Sequence, residues 1–148
     1  MAGVKPRMNN LNEAQRKMVH LVIAAGNYVH NSISAHIKPF GLSLEQYNVM
    51  EILSSHYPRP ITFTAIQEQM NYKSSNVTRL VDKLVDMEFV TREINPEHRR
   101  KMNIAITGKG MNALQKIESV LPKVYAEFEH LSKEEVAQLN ALLEKLKK

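Results

Sequence analysis

A mainly α-helical chain with a single β-hairpin, α+β by class, is what three observations in the sequence predict. Apolar residues recur at helical spacing along both flanks of the 148 residues. Two short segments in the middle change to apolar–polar alternation, the period of a half-buried strand. Turn-forming residues are sparse, with Gly 5 and Pro 6, and the clear breaks are Pro39-Phe40-Gly41, Pro58-Arg59-Pro60, Asn95-Pro96 and Thr107-Gly108-Lys109-Gly110. The length suits one domain, 1–148, without room for a second of ordinary size. With 43 % hydrophobic and 24 % charged residues, the chain can bury a core and is expected to fold.

The first element is a long helix that ends at Pro39. Leu11, Ala14, Met18, Leu21, Val22, Ala25, Val29, Ile33 and Ile37 hold helical spacing over roughly 40 Å, at about 1.5 Å per residue. So long a stripe cannot be buried against so small a body, and a partner is implied. After Gly41, Ser43 caps a second helix with Gln46 at the capping-box position and Leu42 stapled to Tyr47. This helix carries Tyr47, Met50, Ile52 and Leu53 and stops before Pro58. Thr62 or Thr64 caps a short third helix with Ile66 and Met70 facing inward. Asn71-Tyr72-Lys73 is the turn, and Ser74 or Ser75 caps the fourth helix, whose buried stripe is Val77, Leu80, Val81, Leu84 and Met87.

The strands are Val90–Ile94 and Met102–Ile106, joined by a polar loop with three adjacent basic residues. Thr107 caps a further helix running through Leu114, Ile117, Leu121, Val124 and Phe128, which Pro122 bends or breaks. Ser132 and Glu135 form a capping box for the last helix, stapled by Leu131 and Val136 and continuing through Leu139, Leu142, Leu143 and Leu146. Two short helices followed directly by a strand pair with a basic loop make a winged helix-turn-helix. Long N- and C-terminal helices flank it.

Composition narrows the chemistry. Cys 0 excludes a disulfide scaffold, a thiolate metal site, a nucleophilic cysteine and a thiol redox switch. The six histidines, His20, His30, His36, His56, His98 and His130, form no ligand pair with a carboxylate on one face, so no metal or other cofactor is expected. No motif places a base beside a Ser or Thr nucleophile and no Gly-rich phosphate loop occurs, so an enzyme is not expected. The sequence shows no apolar run of membrane-spanning length and no cleavable leader, which predicts a soluble, cytoplasmic protein with no membrane partner.

Net charge is +5, and its distribution says more than its size. Residues 1–37 carry +3, 38–57 carry −1, 58–110 carry +3, and 111–148 are neutral. A basic middle beside a neutral C-terminal segment points to a polyanion at the middle. On the fourth helix Ser75, Asn76, Arg79 and Lys83 lie opposite the apolar stripe. Ser74 and Thr78 add hydroxyls to that end. These side chains read base edges and grip phosphate, and a helix-turn-helix inserts this end of its second helix into the major groove. His98, Arg99, Arg100 and Lys101 concentrate positive charge on a narrow hairpin tip suited to the minor groove. Scattered solvated lysines, or a winged-helix interaction or architectural module, would not need both features.

The stretches Gly41-Leu42-Ser43-Leu44-Glu45-Gln46-Tyr47, Ser75 to Leu84, Phe89-Val90-Thr91-Arg92 and Asn95 to Gly110 resemble the MarR family of bacterial winged-helix transcription regulators. The resemblance covers about half the chain by motif and nearly all of it by element order. It implies a homodimer whose first and last helices interlock, with 1–40 and 111–148 as dimerisation helices and 41–110 as the DNA-binding part. The partners it implies are a palindromic double-stranded operator and a second copy of the chain, and the role implied is that of a repressor released by a small molecule. Arg100, seven residues before Thr107, takes the place of the family's minor-groove arginine. Two departures stand out: His98 occupies the family's aspartate position on the wing, and Glu88 replaces the usual glycine before the hairpin. Family ligands such as phenolic acids lodge between the dimerisation helices and the winged helix. The resemblance places Tyr28, His36, Phe40, Tyr47 and Met50 around that spot, for a small aromatic or phenolic effector.

Overall fold

The computed structural model describes residues 10–71 and 76–147. Helix α1 (Asn10–Ile37) leads through a 3-10 turn (Lys38–Phe40) to α2 (Leu44–His56), α3 (Phe63–Gln69) and α4 (Val77–Asp86). A hairpin of β1 (Val90–Ile94) and β2 (Met102–Ile106) follows, then α5 (Gly108–Glu118), α6 (Leu121–Ala126) and α7 (Lys133–Leu146). The fold is mainly helical with one antiparallel hairpin, a winged helix-turn-helix between long flanking helices.

Local chemistry accounts for most boundaries. Gly41 takes φ 75°, a left-handed turn closed by its N–H on the Lys38 carbonyl. Ser43 and Gln46 form the capping box that starts α2. Thr62 rather than Thr64 caps α3, and Thr107 caps α5. The helix expected from Thr107 to Phe128 is two helices, broken after Glu118 and restarted with Pro122 in the first turn of α6, where proline needs no N–H. Ser132 and Glu135 start α7 with a second capping box.

The core gathers around α2. Leu44, Tyr47, Val49, Met50, Ile52 and Leu53 are all buried, and so are Gln46 and Asn48. This helix is therefore enclosed on nearly all sides rather than along one stripe. It packs on α1, α3, α4, α5 and β2. Asn48 satisfies its burial by accepting the N–H of Asn71 at 3.2 Å, which holds the end of α3 and the start of the following turn against α2.

The hairpin departs from simple alternation. Its register pairs Val90 with Ile106 and Ile94 with Met102. Ile104 and Ile106 of β2 are buried, but in β1 only Val90 is. Ile94, an apolar position of that alternation, lies beyond the body and is 62 % exposed. The base of the hairpin is held by a bridge that periodicity did not reveal: Ile61 and Ile104 exchange two backbone hydrogen bonds of 2.9 and 2.8 Å.

Helices α1 and α7 leave apolar surface open. Leu21, Ile23 and Tyr28 of α1 are more than half exposed, and α7 buries none of its residues. Leu21, Val22, Ala25, Val29 and Ile33 face Leu139 and Leu143 across an apolar groove of about 670 Å³. Among the described residues no helix is long and apolar enough to cross a membrane.

Candidate nucleic-acid interface

Helix α4 starts one residue later than the serines predict. Ser74 and Ser75 lie outside the described residues, and the cap is Asn76, whose Oδ1 accepts the Arg79 N–H at 3.3 Å. Val77, Val81 and Leu84 anchor the helix in the core. Thr78, Arg79 and Lys83 stay exposed on the other side. The structure brings Asn76, Arg79 and Lys83 together along one open groove of about 300 Å³, floored by Leu80 and closed by Glu45 from the first turn of α2. Glu45 carries no signal in the sequence of α4, because it arrives from another helix.

The wing is built on its first residue. Asn95 donates its backbone N–H to the Lys101 carbonyl at 2.9 Å, and its Oδ1 accepts from the N–H groups of Glu97 and His98 at 2.9 and 3.1 Å. Its Nδ2 donates to Asn103 Oδ1 at 3.0 Å, and the Lys101 N–H closes a turn on the His98 carbonyl. This Asx geometry shapes the tip without using the charged side chains, and His98, Arg99, Arg100 and Lys101 are all exposed. Arg100 and Lys101 edge a cleft of about 360 Å³ shared with Thr62, the cap of α3, and with Thr64 and Glu68 along that helix. The cations thus sit over the helix-turn-helix rather than away from it.

Two ion pairs lock the wing to its surroundings. Arg92 Nη1 donates to Asp82 Oδ1 at 2.5 Å, linking β1 to α4. Lys109 Nζ donates to Glu88 Oε2 at 2.6 Å, and this contact holds the Glu88 carboxyl below its ordinary value. Glu88 has φ 62°, so the residue standing where a glycine is usual adopts the glycine conformation. Its carbonyl accepts the Thr107 hydroxyl at 2.7 Å, and the Phe89 carbonyl accepts the Thr107 N–H at 2.9 Å. The joint between α4 and the hairpin is thereby bolted to the start of α5.

The five residues placed around an effector do not converge on one cavity. Tyr47 and Met50 are core residues. Burial, with the hydrogen bond and charge of Glu51, pushes the Tyr47 phenol well above its ordinary range. Tyr47 also edges a small cavity of about 160 Å³ with Asn48, Glu51 and Tyr125. Tyr28 is 60 % exposed and stacks edge-on against Phe128. The His36 ring lies 2.9 Å from the Ser32 carbonyl. Phe40 lines a different cleft, with Phe89 and α5. Aromatic and Met spacing alone could not separate these, since α2 is buried all round. Among the described residues no cluster of His, Asp and Glu could hold a metal ion.

Comparison with known proteins gives one consistent likeness. The sequence profile of the MarR family matches residues 42–102. The uncharacterized HTH-type transcriptional regulator YpoP of Bacillus subtilis (strain 168) is 33 % identical over 109 residues, covering 72 % of this chain and 75 % of YpoP. MhqR of the same organism, an HTH-type transcriptional regulator, is 27 % identical over 92 % of this chain and 93 % of its own. The match to PapX of Escherichia coli, 26 % identical over 68 % of this chain, spans only 61 % of PapX. Among solved structures, a mutant Escherichia coli MarR complexed with operator DNA superposes with a TM-score of 0.79 at 20 % identity, over 88 % of this chain and 93 % of that one. CouR from Rhodococcus jostii RHA1, bound to p-coumaroyl-CoA, gives 0.74 at 20 % identity, over 87 % and 90 %.

Proposed function

The chain belongs to the MarR family, and from that membership we propose that it is a homodimeric, sequence-specific DNA-binding transcription regulator, a repressor that a small-molecule effector releases. The observation that carries this reading is the pairing of two surfaces in one chain. Asn76, Arg79 and Lys83 share a groove on α4, and His98 to Lys101 crown a wing that leans over the same helix-turn-helix. Residues 41–110 are the DNA-binding part. Asn76, Thr78 and Arg79, with Ser74 and Ser75 before them, meet base edges in the major groove, and Lys83 meets phosphate. Arg100 enters the minor groove while His98, Arg99 and Lys101 flank the backbone. Residues 1–40 and 111–148 are the dimerisation part, and the apolar faces of α1 and α7 are what a second copy covers. A two-fold dimer then sets two half-sites about one helical turn apart on a palindromic operator.

Footprinting on the DNA that flanks the protein's own gene tests this reading, followed by anisotropy titrations at several salt concentrations. A protected palindrome is expected. Replacing both Arg99 and Lys101 by alanine should flatten the log–log salt slope by about two, since each phosphate contact releases roughly one counterion. Equal affinity for the flanking DNA and for random DNA, with no protected site, would leave the architectural reading instead.

A further inference from the structure

Glu45 stands on a surface where a carboxylate works against DNA binding unless a cation there needs direction. The open groove of about 300 Å³ beside α4 carries Asn76, Arg79 and Lys83, with Leu80 as its floor and Glu45, from the first turn of α2, as its acidic side. The start of α2 fixes that residue in place. Ser43 and Gln46 exchange capping hydrogen bonds of 2.8 and 3.2 Å, and Leu44 and Gln46 on either side of Glu45 are buried. The N-terminal end of a helix also favours a carboxylate over a neutral side chain. The Glu45 side chain is 32 % exposed, and the His30 ring of α1 lies 3.8 Å from its Oε1. Among the described residues Arg79 and Lys83 form no ion pair, while Asp82, the acid between them in sequence, is held by Arg92 of the wing. Glu45 therefore lines the groove beside two uncommitted cations.

We propose that Glu45 positions Arg79 for base reading and so sets specificity, an inference that rests on the DNA-binding reading above. A guanidinium carries five N–H donors in a planar fork with more than one usable edge. When one edge meets O6 and N7 of a guanine, another turns to Glu45, and the groove closes over a charge-assisted pair above Leu80. A guanidinium held in this way cannot swing to follow a different base or a phosphate. On random DNA the same cations meet phosphates, and there the Glu45 charge repels the backbone and competes for Arg79 and Lys83. One carboxylate thus strengthens the complex that has the guanine in place and weakens the complex that lacks it. Removing an acid that merely repelled DNA would instead raise both affinities, and removing a contact that merely supported the fold would lower both.

The test uses the full chain with two duplexes, the site recovered by selection from a random pool and a scrambled duplex of equal composition, each titrated by anisotropy at fixed salt. Glu45→Gln keeps the shape of the side chain and removes its charge. It is expected to bind the selected site at least about fivefold more weakly and the scrambled duplex about threefold more tightly. Preference for guanine at one position of each half-site should relax, and Arg79→Ala should relax the same position. With Arg79→Ala already present, Glu45→Gln should cost nothing further on the selected site. Affinities that rise together on both duplexes would make Glu45 a general repellent, and affinities that fall together would make it a support of the fold; either overturns the inference. Losses that add on the selected site for Glu45→Gln and Arg79→Ala overturn it as well. A wild type that recovers no preferred site from the pool overturns the functional reading and this inference with it, an outcome visible before any variant is made.

Discussion

Asn76 commits its Oδ1 to the Arg79 N–H, which leaves the Nδ2 amide as the group able to reach a base edge. Alanine at this position therefore removes two things at once, a cap worth about 1 kcal/mol and a candidate base contact. Asn76→Ser separates them, because the hydroxyl can still cap. The serine variant is expected to melt like wild type and to lose about 1–3 kcal/mol on the operator, with relaxed preference at one position. Operator binding equal to wild type would make Asn76 a cap and nothing more. Glu88 gives a pH signature. Its carboxyl lies below the ordinary value because Lys109 donates to it and adds positive charge, so the folded state favours the ionised form. The contribution is present above the unfolded carboxylate value and is lost as pH falls through the lower folded one. Urea unfolding should thus show wild type more stable than Glu88→Gln at pH 7, with the gap closing in acid. A gap that is constant with pH would assign the difference to something other than the Lys109 pair. The unusual residue at this joint was legible in the sequence as a departure from the family's glycine. Its left-handed backbone and its partner 21 positions away were not.

The wing and α5 act as one unit through a close approach that only glycine allows. A Cβ on Gly110 would stand 2.2 Å from the Phe89 carbonyl oxygen and 2.8 Å from Ile106 Cγ1. That oxygen cannot easily retreat, because it accepts the Thr107 N–H. Gly110→Ala should cost at least about 2 kcal/mol in urea unfolding, by forcing α5 away from the joint. Gly108, two residues earlier, has nothing within 4 Å of such a Cβ, and Gly108→Ala should be neutral or stabilising by about 0.5 kcal/mol. Two glycines of one motif are thereby expected to give opposite results, and equal effects would sink the packing argument. The strand limits were readable because the change to alternation sits between a helical stripe and a capping threonine. The wing's docking was not, because Arg92–Asp82 and Ile61–Ile104 join residues with no shared local pattern.

The whole molecule presents an apolar groove of about 670 Å³ where α1 meets α7, and its basic groove and wing elsewhere on the same chain. Leu139→Glu with Leu143→Glu changes two residues that are exposed in the single chain, so the fold should survive the double substitution. On the proposed dimer, wild type is expected to sediment as a dimer at micromolar concentration and the variant as a monomer. Its operator affinity should fall by about 100-fold or more, because the second half-site is no longer tethered to the first. A dimer that persists with unchanged DNA binding would move the interface away from this groove.

What the sequence determined by itself was most of what neighbours a few positions apart set, the start of α4 excepted, where Asn76 caps rather than the serines before it. Helical and strand periods, the capping boxes at Ser43 and Ser132, the break at Pro122 and the charge run on the hairpin all act within a turn or two of chain. Tertiary structure alone decided which polar groups share a surface and which aromatic residues are core. Glu45 joins the α4 groove from another helix, Tyr47 and Met50 fall inside because α2 is enclosed on nearly all sides, and Phe40 meets Phe89 across 49 positions. Those placements depend on how whole elements pack, and packing energy is shared among residues that no local pattern connects.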